Sequence, residues 1–162
     1  MRRTKGFTLV ELMIAIAIMA VLGAVGIPAF QSMILDNRIV TTSNALLGAL
    51  QMARSEAASK RKNIRVCPST DQQTCTANGN WHDGIIVLND TVLLRVIPAT
   101  RNGVQITSTL SELVYQGNGR TQQNNPQFRI FDDRDAAKPA TGRNICINII
   151  GQVTSLRGNQ GC

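Results

Sequence analysis

From Leu12 to Ile27 the chain runs 16 residues without a charged or strongly polar side chain. Extending outward to Phe7 and Phe30 lengthens the run to 24 residues, interrupted only by Thr8 and Glu11. About 20 apolar residues suffice for a helix to cross a bilayer, so this segment decides where the rest of the chain can go. Arg2, Arg3 and Lys5 precede it and a long polar stretch follows. Basic flanks stay on the cytoplasmic side, which puts everything after Phe30 beyond the membrane.

Three readings fit such a segment. A secretory signal has a basic start, an apolar core and a small-residue cleavage site behind the core. Ala24, Gly26 and Ala29 supply small residues, but Pro28 and the length of the run fit that pattern poorly. A plain anchor matches the length and leaves Glu11 unexplained, because an ionisable group inside an apolar span costs a few kcal/mol and by default marks function. The third reading covers the whole segment. Lys5-Gly6-Phe7-Thr8-Leu9-Val10-Glu11 resembles the type III signal sequence of type IV pilins and type II secretion pseudopilins. The resemblance implies that residues 1–6 are a leader, cut between Gly6 and Phe7 by a prepilin peptidase of the inner membrane. It implies N-methylation of Phe7 and retention of residues 7–30 as a transmembrane and assembly helix. Glu11 then pairs with the terminal amine of a neighbouring subunit. Two charges in a low-dielectric filament core are tolerable when they meet as a pair.

The net charge of +7 has to be read against that leader. Without Arg2, Arg3 and Lys5 the chain keeps 14 basic and 10 acidic residues, or +4. The body is mildly basic, and the whole-chain figure overstates any attraction to nucleic acid. One Trp, one Tyr and four Phe also leave little to build a base-stacking surface from.

Past Pro28 the periodicity becomes amphipathic. Ile39, Leu46, Leu50, Ala53 and Ala57 recur at helical spacing, which predicts that residues 31–62 form the amphipathic half of one long helix. Arg38, Asn44, Gln51, Arg54 and Ser55 fall on its other sides. Lys60-Arg61-Lys62 suits a helix C-terminus. Short strand candidates follow at Ile64–Cys67, Ile85–Leu88, Val92–Ile97, Val104–Leu110, Leu113–Tyr115, Phe128–Phe131, Ile145–Ile150 and Val153–Leu156. Turn residues separate them, among them Asp83-Gly84, Asn89-Asp90, Asn102-Gly103 and Gly117-Asn118-Gly119. Residues 116–127 and 132–144 read as polar loops. The fold class is therefore α+β: a long N-terminal helix packed on an antiparallel β-rich head, residues 63–162, as the pilin resemblance also implies.

Four cysteines, Cys67, Cys75, Cys146 and Cys162, suit an exported head held by two disulfides. They admit three pairings. Nearest-neighbour pairing, Cys67–Cys75 and Cys146–Cys162, is expected and would staple the C-terminal tail to a strand. A metal site built from Cys67, Cys75 and His82 competes with it, but the spacing is wider than zinc pairs use and no fourth ligand stands out. No metal or other cofactor is expected. One histidine beside Asp83, with no marked nucleophile, gives no catalytic site, so the chain is not expected to be an enzyme.

The head carries a second resemblance. Arg65-Val66-Cys67-Pro68-Ser69, Cys75, Trp81-His82-Asp83-Gly84-Ile85-Ile86-Val87 and Arg143-Asn144-Ile145-Cys146-Ile147-Asn148 with Gly151 are similar to the GspH/FimT group. That group joins pseudopilin H of type II secretion with the minor pilins FimT and FimU. A FimU-like role implies a minor pilin that primes assembly or sits at the tip of a type IV pilus, with other major and minor pilins as partners. A FimT-like role implies DNA uptake through a C-terminal Gly-Arg-x-Arg motif. The matching segment here reads Gly151-Gln152-Val153-Thr154. With both arginines absent, Arg143 and Arg157 remain as candidate DNA contacts. The third alternative is pseudopilin H. All three imply a single pass through the inner membrane, a periplasmic head and a later place in a filament.

Overall fold

The computed structural model describes residues 6–77, 79–100, 103–133, 142–158 and 160–162. Residues 1–5 of the expected leader, Asn102 of one expected turn, and most of the expected loop at 132–144 lie outside the described residues. Helix α1 (Leu9–Lys60) leads the chain. Among the described residues eight strands follow: β1 (Ile64–Pro68), β2 (Gly84–Asn89), β3 (Val92–Pro98), β4 (Val104–Ser108), β5 (Leu113–Tyr115), β6 (Gln127–Asp132), β7 (Arg143–Ile147) and β8 (Val153–Arg157). The chain divides into two compact units, Met1–Ile34 and Leu35–Cys162.

In the first unit the helical register begins at Leu9 and carries Pro28 within it. None of its described residues is buried. Phe7, Leu9, Met19, Val25 and Phe30 are each at least 64% exposed. By length and composition α1 can cross a membrane.

The second unit has its own core. The later part of α1 buries Leu35, Ile39, Ser43, Leu46, Ala49, Leu50, Ala53 and Ala57, a stripe at three- and four-residue spacing. The five residues that set the sequence periodicity all belong to it. Small residues at Ala49, Ala53 and Ala57 let a helix lie close to its neighbours. Ser43, though buried, donates its hydroxyl to Ile39 O at 2.7 Å, so no polar group is left unpaired there.

The strands form two four-stranded antiparallel sheets, β3-β2-β1-β5 and β4-β6-β7-β8. Helix and both sheets meet in one apolar cluster that joins Leu46 and Leu50 to Val66, Ile85, Ile106, Phe128, Ile130 and Ile145. Turn spacing along the chain anticipated a succession of antiparallel strands. Their division into two sheets depends on long-range pairing, which local patterns do not encode. Two strands also end short of the expectation: β4 stops at Ser108 rather than Leu110, and β7 stops at Ile147, with Ile149 and Ile150 exposed in a turn.

A short 3-10 helix, Trp81–Asp83, precedes β2 and was not anticipated from sequence. Its Trp81 is 3% exposed, donates Nε1–H to Leu110 O at 2.8 Å, and meets Phe128 edge-on with ring centroids 4.7 Å apart. This is the packing role expected of a large aromatic with one polar handle. Gly84 follows at φ 134°, and a Cβ there would strike Ser69 O, so the chain enters β2 through a conformation reserved for glycine.

Candidate functional site

The N-terminal motif forms a compact arrangement at the start of α1. Thr8 is the residue before the first helical position. Its hydroxyl accepts from Glu11 N at 3.3 Å, while Thr8 N donates to Glu11 Oε2 at 3.0 Å. The Thr8 hydroxyl also lies 2.9 Å from the same Oε2. This is a reciprocal capping box, in which Ser/Thr-x-x-Glu satisfies donors that the first helical turn leaves without partners. Glu11 thus does local work in the single chain: its Oε2 is held back against Thr8. Gly6 and Phe7 precede this cap outside any helix or strand, and Phe7 is 88% exposed. The peptide bond between Gly6 and Phe7, the amine that cutting it would create, and the Glu11 carboxylate all lie within a stretch of six residues, Gly6 to Glu11.

In the head, Cys67 is bonded to Cys75 and Cys146 to Cys162, with Cα separations of 5.6 and 5.4 Å. The first bond occupies both sulfurs that the metal alternative required. It also closes a loop organised by Asp71. Thr74 Oγ1 donates to Asp71 Oδ2 at 2.6 Å, and Thr74 N, Gln73 N and the Ser69 hydroxyl donate to Oδ1 at 2.8 to 2.9 Å. These donors, Thr74 first, hold the carboxyl well below the usual carboxylate range. The second disulfide fixes the tail along β7, where Asn144 Nδ2 also donates to Gln160 O at 2.7 Å.

The two candidate DNA contacts come together. Arg143 and Arg157 are directly opposed in the β7–β8 register, and like charges so placed repel. Positions 152 and 154 are engaged locally: Gln152 Oε1 accepts from Asn148 Nδ2 at 3.4 Å, and Thr154 Oγ1 donates to Cys146 O at 3.4 Å. His82 and Asp83 approach to 3.5 Å on the surface, and the Ser69 hydroxyl is spent on Asp71.

Sequence periodicity places Arg54 off the apolar stripe of α1, and the structure gives it a structural task. Its Nε donates to Gly119 O at 3.3 Å and its Nη2 to Ile150 O at 2.9 Å. The guanidinium therefore ties α1 to the loop before Thr121 and to the β7–β8 turn. Nearby, Tyr115 is fully buried and its hydroxyl has no partner among the described residues. Burial pushes it well above the ordinary phenol range, while the Arg54 charge acts in the opposite direction. No local motif announces the role of Arg54; it arises where segments distant in sequence converge.

Comparison with known proteins places these features. Residues 42–151 match the family model described as type II transport protein GspH, and residues 1–27 match the prokaryotic N-terminal methylation motif. The fimbrial protein EcpC of Eikenella corrodens is 34% identical over 83 residues, which cover 51% of this chain and 54% of that protein. The chain thus matches about half the length of that relative. The type IV minor pilin FimU of Pseudomonas aeruginosa has a similar fold, with TM-score 0.61 and 22% identity, covering 78% of this chain and 96% of that one. The minor pseudopilin EpsH from the type 2 secretion system of Vibrio cholerae is similar at TM-score 0.54 and 12% identity, over 76% and 99% of the two chains. The long helix packed on antiparallel sheets is the pilin fold.

Proposed function

The chain belongs to the GspH family, and from that premise we propose that it is a minor subunit of a type IV pilus, made as a leader-bearing precursor and built into the filament near its tip or during priming. In this reading residues 1–6 are removed between Gly6 and Phe7 by prepilin peptidase and the Phe7 amine is methylated. Residues 7–30 hold the subunit in the inner membrane with its head in the periplasm until neighbouring subunits take the place of lipid. The role is structural, not catalytic. The fimbrial name of the Eikenella corrodens relative favours a pilus over a secretion filament.

One observation carries the reading. The helix from Leu9 to Ile34 buries none of its residues in the chain itself, yet bears one carboxylate at its head. Beyond capping its own first turn, a purely lipid-facing anchor has no use for a carboxylate at Glu11. A helix that leaves lipid for a filament core does, because the amine made at Phe7 on an adjacent subunit is the cation that would neutralise it. The capping box offers a competing same-chain use, and the two uses separate experimentally. Gln at the third helical position also completes a capping box but cannot pair ionically with an amine. Glu11→Gln and Glu11→Ala are both expected to insert and to lose their leader normally. Both should fall in sheared-filament fractions by about tenfold or more, the scale of losing a paired buried charge. If Glu11→Gln enters filaments as the parent does while Glu11→Ala does not, the residue acts as a helix cap and the assembly contact is wrong.

A second reading, DNA capture, has the opposed Arg143 and Arg157 in its favour. Duplex affinity grows with the number of phosphates neutralised, and two arginines with neutral residues at 152 and 154 offer few.

A further inference from the structure

Two isoleucines stand exposed at the tip of the β7–β8 hairpin. Ile149 is 45% and Ile150 51% exposed, on a turn with little freedom left. Asn148 O accepts from Gly151 N at 2.8 Å, Asn148 N donates to Gln152 O at 3.1 Å, and Asn148 Oδ1 accepts from Gln152 N at 2.9 Å. From outside the hairpin, Thr121 N donates to Ile149 O at 3.3 Å and Arg54 Nη2 to Ile150 O at 2.9 Å. Gly151 sits at φ 78°, and a Cβ there would collide with Gly119 O and crowd Arg54 Nε. The backbone of the tip is fixed from three directions, while its two large aliphatic residues stay about half exposed. A flexible loop loses conformational freedom on binding; this one has already lost it, which is the general advantage of preorganisation.

Beside the tip lies a groove of about 490 Å³ lined by Gln51, Arg54 and Ser55 of α1, by Asn118 and Gly119, and by Gln152. Among the described residues its lining has one guanidinium, three carboxamides and a hydroxyl, and no carboxylate. The two hydrogen bonds of Arg54 go to neutral carbonyl oxygens, so no acid in the lining balances its charge. An aliphatic knob next to a positively charged, hydrogen-bonding groove fits one kind of occupant best: a protein segment that presents a carboxylate beside aliphatic side chains. Nucleic acid fits less well. It needs several cations where the groove has one, and it has no use for two exposed isoleucines. The opposed arginines lie at the other end of the hairpin.

We propose that the Ile149–Ile150 tip and the Arg54 groove form a docking surface for a neighbouring subunit of the same filament, engaged through an acidic, aliphatic segment of that neighbour. The proposal rests on the reading of the chain as a filament subunit. The segment's carboxylate lies toward Arg54 and the amides of Gln51 and Gln152, and its aliphatic side chains cover Ile149 and Ile150.

The test places a benzophenone-bearing amino acid at position 150 of the full-length chain in its own cells, and at Val92, exposed at the end of β3, as a control. Irradiation should join position 150 to another leader-processed subunit, through a peptide that carries Asp or Glu. The yield should exceed that from position 92 by about tenfold, the scale expected of a binding hot spot. Adding Ile149→Glu should cut the yield about tenfold, whereas Ile149→Arg should cut it by about threefold or less. Arg157→Ala should leave it unchanged. Equal yields from the two positions, a captured peptide with no acid, equal loss in both charge variants, or a nucleic-acid adduct would each overturn the docking surface. A chain present in sheared filaments without the adduct refutes this surface alone; a chain missing from filaments altogether refutes the filament reading as well.

Discussion

The two halves of α1 follow the same backbone geometry and solve opposite problems. From Leu9 to Ile34 none of the residues is buried, and apolar side chains cover every side of the helix. From Leu35 to Lys60 a stripe of eight buried residues alternates with polar ones. A helix that is apolar all round needs an apolar environment supplied from outside, whereas an amphipathic helix finds its environment in its own chain. The head carries its own core, while the N-terminal segment finds none within the chain and needs surroundings from outside it, lipid or other subunits in the proposed reading. Glu11 is the one group of that segment whose chemistry distinguishes the two surroundings.

The largest effect that would break this contrast is a cavity in each half. Leu50 is fully buried, and Leu50→Ala is expected to cost about 2–5 kcal/mol of head stability. Leu22 is 66% exposed, and Leu22→Ala should leave the head within about 0.5 kcal/mol of the parent. Trp81 is the single tryptophan of the chain and sits in the head core, so its fluorescence during urea unfolding in detergent reports the head alone. Comparable losses in the two variants would mean that the head does not carry its own core.

A somewhat smaller effect concerns the tail. The Cys146–Cys162 bond has a sequence separation of 16, and chain-entropy arguments give about 3 kcal/mol for a loop near that size. Replacing both cysteines by serine should lower the urea midpoint accordingly, leave leader removal unaffected, and expose the segment after Arg157 to protease. An unchanged midpoint would show that the hydrogen bond from Asn144 to Gln160 and the β7–β8 pairing hold the tail without the staple.

Much of this contrast was legible in the sequence, because it rests on periodicity. The continuous apolar run, the change at Pro28 to a stripe through Ile39, Leu46, Leu50, Ala53 and Ala57, and the eight strand positions all follow from local pattern. The arrangement of strands into two sheets did not, since pairing such as β1 with β5 joins segments about fifty residues apart. Nor did the task of Arg54, which exists only where α1, the loop before Thr121 and the β7–β8 turn converge. Ile149 and Ile150 show the limit most clearly. By hydrophobicity they extend β7, but Gly151 at φ 78° and the turn closed by Asn148 place them outside. At the N-terminus the motif itself was plain, but not that Thr8 and Glu11 would cap the helix for each other.

The filament reading stands on how the N-terminus is made, and intact-mass and peptide mass spectrometry of the chain recovered from sheared filaments tests it most directly. The expected result is a mature chain beginning at Phe7 with a methylated amine and lacking residues 1–6. A chain that still begins at Met1, or one that begins after Ala29, would contradict it.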